Sequence, residues 1–214
     1  MPNHQMAHIN SWYDVLRENV NDLNLIQVGI SLSNKEGVKP QPAHTWQFNL
    51  QFSLSKNKFS KDSIKVLKDA GINFELLEVI NLTNIKISFK YKEKGIDPME
   101  FGSELTTSNI TLNEEVTWVT FHGQYDFSYL IKVLFGDPLP NNPEEFLKIL
   151  RVYFPVKFDL KIIIHEFEEI KHYSLQKLGN DLSIERHGSQ HQGGSDALLT
   201  LGKYGIKLIS RNFS

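Results

Sequence analysis

Two aspartates in this chain combine chemical reactivity with unusual surroundings. Asp126 lies in the apolar and aromatic stretch TFHGQYDFSYL, and Asp196 follows two glycines in HQGGSD. An unpaired buried charge is costly and usually acquires a salt bridge, a metal ion or a raised pKa. Hard divalent cations bind carboxylate oxygens, and Mg²⁺ commonly takes only one or two of them together with a substrate phosphate. On residue type and position alone, capping of a helix start is the favoured interpretation of each acid, and the hypothesis set beside it is that the two converge on a divalent ion.

His191 lies five residues before Asp196. A histidine close to a divalent ion could remove a proton from an attacking water during phosphodiester hydrolysis, a step for which its pKa is suited. The glycines between His191 and Asp196 would let the loop bring the imidazole towards the same cleft. The alternative is a surface histidine in a flexible loop.

Two other histidine patterns are weaker. His165, Glu169 and His172 share one face of a predicted helix, as zinc ligands do, but the second histidine of the zinc-protease motif is missing. A solvated helix face is the favoured interpretation. His187 and His191 are four residues apart, but the glycine and serine between them argue against a helix that would align them.

Composition indicates one folded domain over residues 1–214 rather than a disordered chain, since 40% of the residues are hydrophobic. The 23 Lys and Arg against 25 Asp and Glu leave no broad cationic surface for nucleic acid, so RNA would need a local site. There is no cysteine, which excludes thiolate metal sites and fits a reducing compartment. We expect neither a secretory signal nor a membrane span, because no apolar run approaches about 20 residues.

The hydrophobic pattern predicts strands early in the chain and helices late. Strands are predicted at 23–32, 45–52 and 116–121, the first two as an antiparallel pair, and helices at 60–71, 97–108, 126–135 and 141–154, with two shorter helices within 157–185 and a closing helix capped by Ser195. Residues 85–91 alternate apolar and lysine side chains, which favours a solvated edge strand over an RNA-facing ribbon. The class predicted is α/β or α+β.

Several stretches, in order, resemble the CCR-associated-factor poly(A) deadenylases over nearly the whole chain, from about Tyr13. They are NDLNLIQVGISLSNKEG, TWQFNLQFSL, KDSIKVLKDAGINFE, EKGIDPMEF, VTWVTFHGQYDFSYLIKVL, RVYFPVKFDLK and RHGSQHQGGSDALLT. The patterns FHxxYDFxYL and HQxGSDxLLT are the most distinctive.

The resemblance implies a ribonuclease-H-like mixed sheet flanked by helices, in the DEDD exonuclease superfamily. It also implies a subunit of the CCR-NOT complex that shortens mRNA poly(A) tails from the 3′ end, with four acids that hold two Mg²⁺ or Mn²⁺ ions. Asp126 and Asp196 would be metal ligands and His191 the general base. Poly(A) RNA and the scaffold and nuclease subunits of the complex would be the partners, in the nucleus and the cytoplasm.

Two departures from the family pattern stand out. Nothing in MPNHQMAHINSWYDVLRENV matches the family's first, central strand, whose Asp-x-Glu-Phe-Pro-Gly supplies the other two acids, and residues 76–92 are an insertion. We therefore expect an N-terminally incomplete domain with impaired activity, because two-metal hydrolysis depends on ligands that hold both ions. The alternatives are a catalytically silent interaction module of the same complex and a fragment of a longer active product.

Overall fold

The chain is an α/β protein in which short strands are surrounded by helices. The computed structural model describes residues 3–41, 44–77, 95–167, 174–181 and 183–202. The helices are α1 (Asn3–Asp22), α2 (Lys61–Asp69), α3 (Pro98–Thr107), α4 (Gln124–Phe135), α5 (Pro143–Tyr153), α6 (Leu160–Phe167), α7 (Leu175–Asp181) and α8 (Gly193–Thr200). The strands are β1 (Gln27–Ser31), β2 (Thr45–Asn49), β3 (Thr117–Thr120) and β4 (Val156–Asp159), and a 3₁₀ turn spans Phe74–Leu77. Within these ranges, no helix has the length and apolar character needed to cross a bilayer.

The strands form two separate pairs. β1 and β2 are antiparallel, as the sequence indicated, with Gln27 opposite Asn49 and Ser31 opposite Thr45. β3 and β4 are parallel, with Thr117 opposite Val156. Among the described residues no strand joins β1 to β3, an arrangement compatible with a mixed sheet that lacks the family's central strand.

Two elements differ from the sequence prediction. Residues 157–159 were assigned to a helix but complete β4 before α6 begins at Leu160. A four-residue strand is too short to show alternation, and the apolar run continues directly into α6. α1 was not predicted, although Tyr13, Leu16 and Val20, spaced for one helix face, are all fully buried.

The predicted helix starts are largely correct because local capping chemistry determines them. The side chains of Ser60, Asp97 and Asn142 accept hydrogen bonds from the first turns of α2, α3 and α5. Gly71 follows the end of α2 with a φ of 95°, as its role as a helix stop requires. The alternating segment 85–91 and residues 78–92 of the predicted insertion lie outside the described residues.

The largest core cluster joins α1 to α3, α4 and α5 and fixes the position of α4. Tyr13 packs on Phe146, and its hydroxyl donates to the Pro140 carbonyl at 2.7 Å. Lys132 of α4 donates its ammonium protons to the carbonyls of Val20, Asn21 and Leu23, at 2.8, 3.0 and 3.0 Å. One lysine thus satisfies carbonyls at the end of α1 that the helix itself leaves free.

Candidate functional site

A slot of about 450 Å³ separates the two strand pairs. Its walls are β1 on one side and β3 on the other, and Asp126 and Asp196 both line it. Leu50 N donates to Ile26 O and Leu32 N to His44 O, which makes the even-numbered residues of β1 the ones bonded to β2. The backbone N–H and C=O groups of Gln27, Gly29 and Ser31 therefore point away from β2, along the free edge of β1.

Asp126 is the third residue of α4 and lines this slot. It is exposed, contrary to the expectation from its apolar sequence neighbours. The protein walls of the slot nevertheless desolvate its carboxylate, and this burial, together with the charges of Asp159 and Asp196, raises its pKa to about 6. Gly123, rather than Asp126, occupies the N-cap of α4, where no side-chain cap bond is made. Asp126 is nevertheless an acid of the first turn and accepts a hydrogen bond from its own backbone N–H, so the helix-start alternative accounts for part of its setting.

Asp196 lies in the first turn of α8 and is bound by an arginine. Arg186 Nη1 donates to Asp196 Oδ1 at 2.6 Å and to Ser195 Oγ at 3.0 Å. The arginine is 11% exposed at its side chain and its Nε donates to Gln176 Oε1 at 2.5 Å, so it is held from both sides. Gln192 is the N-cap residue of α8, so the prediction that Ser195 caps this helix is wrong; Ser195 is buried one turn further in.

The start of α8 is fixed against the first strand pair by glycines and glutamines. A Cβ placed on Gly29 would lie 1.8 Å from the Gly193 carbonyl oxygen, so backbone meets backbone at this point. Gln27 Oε1 accepts from Gly193 N at 2.5 Å, and Gln47 Oε1 accepts from Gly194 N at 3.0 Å. The glycines of HQGGSD therefore allow the helix to approach β1, and the two glutamines set the position of Asp196.

His191 is close to Asp196 in the sequence, but it lines a cavity different from the slot. It has a φ of 63°, in the left-handed region, and borders a second cavity of about 280 Å³ together with Asp196 and Tyr129. His191 does not line the slot, whereas Asp196 lines both cavities. The fold thus brings the two acids to one cavity and the histidine to the neighbouring one. Of the weaker histidine pattern, Glu169 and His172 fall outside the described residues.

The residues present fit a divalent ion only in part. Two carboxylates that face one slot are suitable ligands for a hard cation, and the charge of Asp196 contributes to the raised pKa of Asp126. However, no cluster of three or more His, Cys, Asp or Glu side chains suited to a metal occurs in the described part of the chain. The described residues therefore offer two carboxylates at the slot, Asp126 and Asp196.

Sequence reasoning missed Asp159 and Arg186. Asp159 ends β4 and contributes more than Asp196 to the raised pKa of Asp126. An acid at the boundary between a strand and a helix, in KFDLK, was the available signal, but the strand itself was not predicted. Arg186 lies ten residues before Asp196, and only the folded loop shows that they meet.

Comparisons with known proteins identify relatives of the chain. No protein-family model matches the chain. Poly(A) ribonuclease pop2 of Schizosaccharomyces pombe is 44% identical over 188 residues, 88% of this chain and 52% of pop2. The Arabidopsis thaliana protein named "Probable CCR4-associated factor 1 homolog 10" is 39% identical over 206 residues, 94% of this chain and 69% of that protein. The chain thus spans between about half and about two thirds of these relatives' length.

Solved structures match over almost the whole chain. S. pombe Pop2p with Mg²⁺ and Mn²⁺ bound superimposes with a TM-score of 0.80 at 43% identity, over 94% of this chain and 73% of that one. Yeast CAF1, co-crystallized with the NOT1 MIF4G domain, gives 0.74 at 34% identity, over 94% and 72%. The fold and the slot define an α/β protein of the Pop2 ribonuclease type. The chain belongs to the Pop2/CCR4-associated factor 1 family.

Proposed function

We propose that this chain acts as a 3′-to-5′ exoribonuclease on poly(A) RNA with Mg²⁺ or Mn²⁺, as a subunit of the CCR4-NOT complex in the nucleus and cytoplasm. The observation that carries the proposal is that Asp126 and Asp196 line one slot, where the charge of Asp196 contributes to the raised pKa of Asp126, in a relative of a poly(A) ribonuclease. A bound divalent ion would neutralise charge on the phosphate that is cleaved. Asp126 and Asp196 would hold it.

His191 is proposed as the general base. Its position beside Asp196, in the cavity next to the slot, is compatible with a proton transfer at the edge of the metal site. The same cavity is lined by Lys58 and Tyr129, whose side chains carry an ammonium and a hydroxyl group; Lys58 Nζ lies 3.0 Å from Asp22 Oδ2, so a phosphate would compete with this ion pair. This cavity would receive the 3′ end of the RNA.

We further propose that the slot is the place of the family's Asp-x-Glu strand. The free edge of β1 offers the backbone groups of Gln27, Gly29 and Ser31, and β3 forms the opposite wall. An extended segment between them would join both strand pairs into one sheet and would bring two more acids beside Asp126 and Asp196. Without such a segment the chain would be strongly impaired, since loss of one transition-state stabiliser alone commonly costs about 10² to 10³ in rate.

Release of AMP from oligo(A) by the purified chain with Mn²⁺ tests the activity. We expect slow release that Asp126→Ala abolishes, and faster release when a peptide carrying the Asp-x-Glu-Phe-Pro-Gly strand is added. A peptide with both acids replaced by their amides is the matched control, because it can pair in the slot without supplying ligands. Release that is insensitive to Asp126→Ala would contradict the proposal.

The second candidate is an interaction module without catalysis. The ion pair between Arg186 and Asp196 favours it, because it already compensates one of the two acids. Yeast CAF1 was crystallized with the NOT1 MIF4G domain, so binding of this domain by the chain is the relevant assay. Binding of the MIF4G domain with no Mn²⁺-dependent AMP release, with or without the peptide, would favour this candidate.

A further inference from the structure

The carboxylate of Asp159 joins two turns that lie far apart in sequence. Its Oδ1 accepts hydrogen bonds from the backbone N–H of His122 at 2.8 Å and of Lys161 at 2.9 Å. Its Oδ2 accepts from the N–H of Gly123 at 2.7 Å. Both oxygens are therefore occupied by backbone donors, one at the start of α6 and two in the turn between β3 and α4.

The turn between β3 and α4 depends on this support. His122 has a φ of 61°, a left-handed conformation that is unfavourable for a residue with a side chain. Gly123 lies so close to Thr120 that an added Cβ would be 2.3 Å from the threonine side chain. At the N-cap of α4, Gly123 has no side chain with which to satisfy the free N–H groups. From β4, Asp159 supplies an acceptor for the N–H groups of His122 and Gly123, the two residues that lead into the helix.

We infer that Asp159 is the positioning residue for Asp126. It fixes the turn from which α4 starts, and Asp126 is the third residue of that helix, so the bonds of Asp159 determine where the Asp126 carboxylate enters the slot. Three backbone donors bind its two oxygens and it does not line the slot, so Asp159 is assigned the support of the ligand rather than the role of a ligand. Partners that orient metal-binding carboxylates commonly affect metal affinity by 10-fold to 100-fold. The link to metal rests on the proposed function; the link to the turn does not.

Asp97 provides a matched control. Its Oδ1 accepts from the N–H groups of Met99 at 2.8 Å and Glu100 at 3.2 Å at the start of α3, and it does not line the slot. For each acid, the amide that reports on the helix start it supports is the donor of the first hydrogen bond within that helix. For Asp159 this is Phe127 N, which donates to Gly123 O at 3.0 Å at the start of α4, and for Asp97 it is Phe101 N, which donates to Asp97 O at 2.9 Å at the start of α3. Asp159→Asn and Asp97→Asn make the same chemical change and retain one oxygen acceptor.

The first measurement is amide hydrogen exchange without metal. Asp159→Asn is expected to accelerate exchange at Phe127 about tenfold and leave Phe101 unchanged, whereas Asp97→Asn should do the reverse. Unchanged exchange at Phe127 in Asp159→Asn would overturn the inference, whatever the protein's activity. Thermal unfolding of both variants shows whether each is folded. The Asn substitution is used because it retains one oxygen acceptor, whereas Asp159→Ala would remove both.

The second measurement is Mn²⁺ affinity, read from paramagnetic broadening of NMR signals near Asp126 and Asp196. Asp159→Asn should weaken Mn²⁺ binding about tenfold, against less than twofold for Asp97→Asn. In an Asp126→Asn background the Asp159→Asn change should have no further effect, because Asp159 acts through Asp126. Additive effects would overturn the inference in favour of a general charge effect. Absence of broadening in the unmodified chain would instead contradict the proposed function, leaving Asp159 to be judged on the exchange data.

Discussion

Gly29 of β1 and Gly193 of α8 are in direct backbone contact, so close that neither leaves room for a side chain. A Cβ on Gly29 would overlap the Gly193 carbonyl carbon at 2.0 Å, and one on Gly193 would lie 2.8 Å from Gly29 N. The position of Asp196 relative to β1 is set by this contact.

Gly29→Ala is therefore expected to displace α8 or to unfold the chain, because the obstacle is backbone and cannot rotate away. Circular dichroism during thermal unfolding would measure the loss. Gln47→Ala, which removes only the bond to Gly194 N, should be the milder variant. An alanine variant at position 29 that is as stable as the unmodified chain would contradict the packing described here.

Lys132→Met is expected to lower the free energy of unfolding by about 1–3 kcal/mol, the usual cost of leaving partly buried polar groups without partners. The carbonyls of Val20, Asn21 and Leu23 would lose their shared donor while the aliphatic part of the side chain is retained. Lys148→Met on the exposed face of α5 is the control of equal charge change. Equal denaturation midpoints in urea for the two variants would refute the role given to Lys132.

Asp126 should make the protein less stable as the pH rises. Its pKa is raised from the ordinary 3.8 to about 6, so between those values the folded protein holds more protons than the unfolded chain. The free energy of unfolding then falls between about pH 4 and pH 6 and stays lower above that range. Asp126→Asn should therefore increase the melting temperature at pH 7 and change it little at pH 4.

Thermal melts at both pH values test this, with Asp137→Asn in the exposed α4–α5 connection as control. A gain that is equal at pH 4 and pH 7 would show that the amide stabilises for some reason other than titration. A gain confined to pH 7 would identify Asp126 as a site where stability is sacrificed for ligand binding.

The free edge of β1 predicts a pattern of amide exchange. The N–H groups of Gln27 and Ser31 should exchange faster than those of Val28 and Ile30, which face β2. Exchange resolved by NMR provides the test. Slow exchange at all four positions would mean that another segment pairs with this edge in solution.

Local signals in the sequence predicted much of the fold. The alternation in 23–32 and 45–52 predicted β1, β2 and their antiparallel pairing. The residue types of Ser60, Asp97 and Asn142 predicted three helix starts. These features depend on neighbouring residues only, so a linear pattern is sufficient to reveal them.

The remainder depended on contacts between distant residues. β4 is recognisable as a strand only through its pairing with β3, and the importance of Asp159 follows from bonds to residues 36 and 37 positions away. Asp126 and Asp196 were both singled out by type and setting, and they do meet at one cavity. Their neighbours Asp159 and Arg186 were not, because a like or an opposite charge that acts across the fold leaves no local pattern in the sequence.

The two strand pairs on either side of the slot also set the spacing between the two acids. Asp126 stands on the helix that leaves β3, and Asp196 on the helix that Gln27 and Gln47 bind to β1 and β2. The distance between the carboxylates therefore follows the width of the gap, and any change in how far apart the two strand pairs stand would move the acids relative to each other.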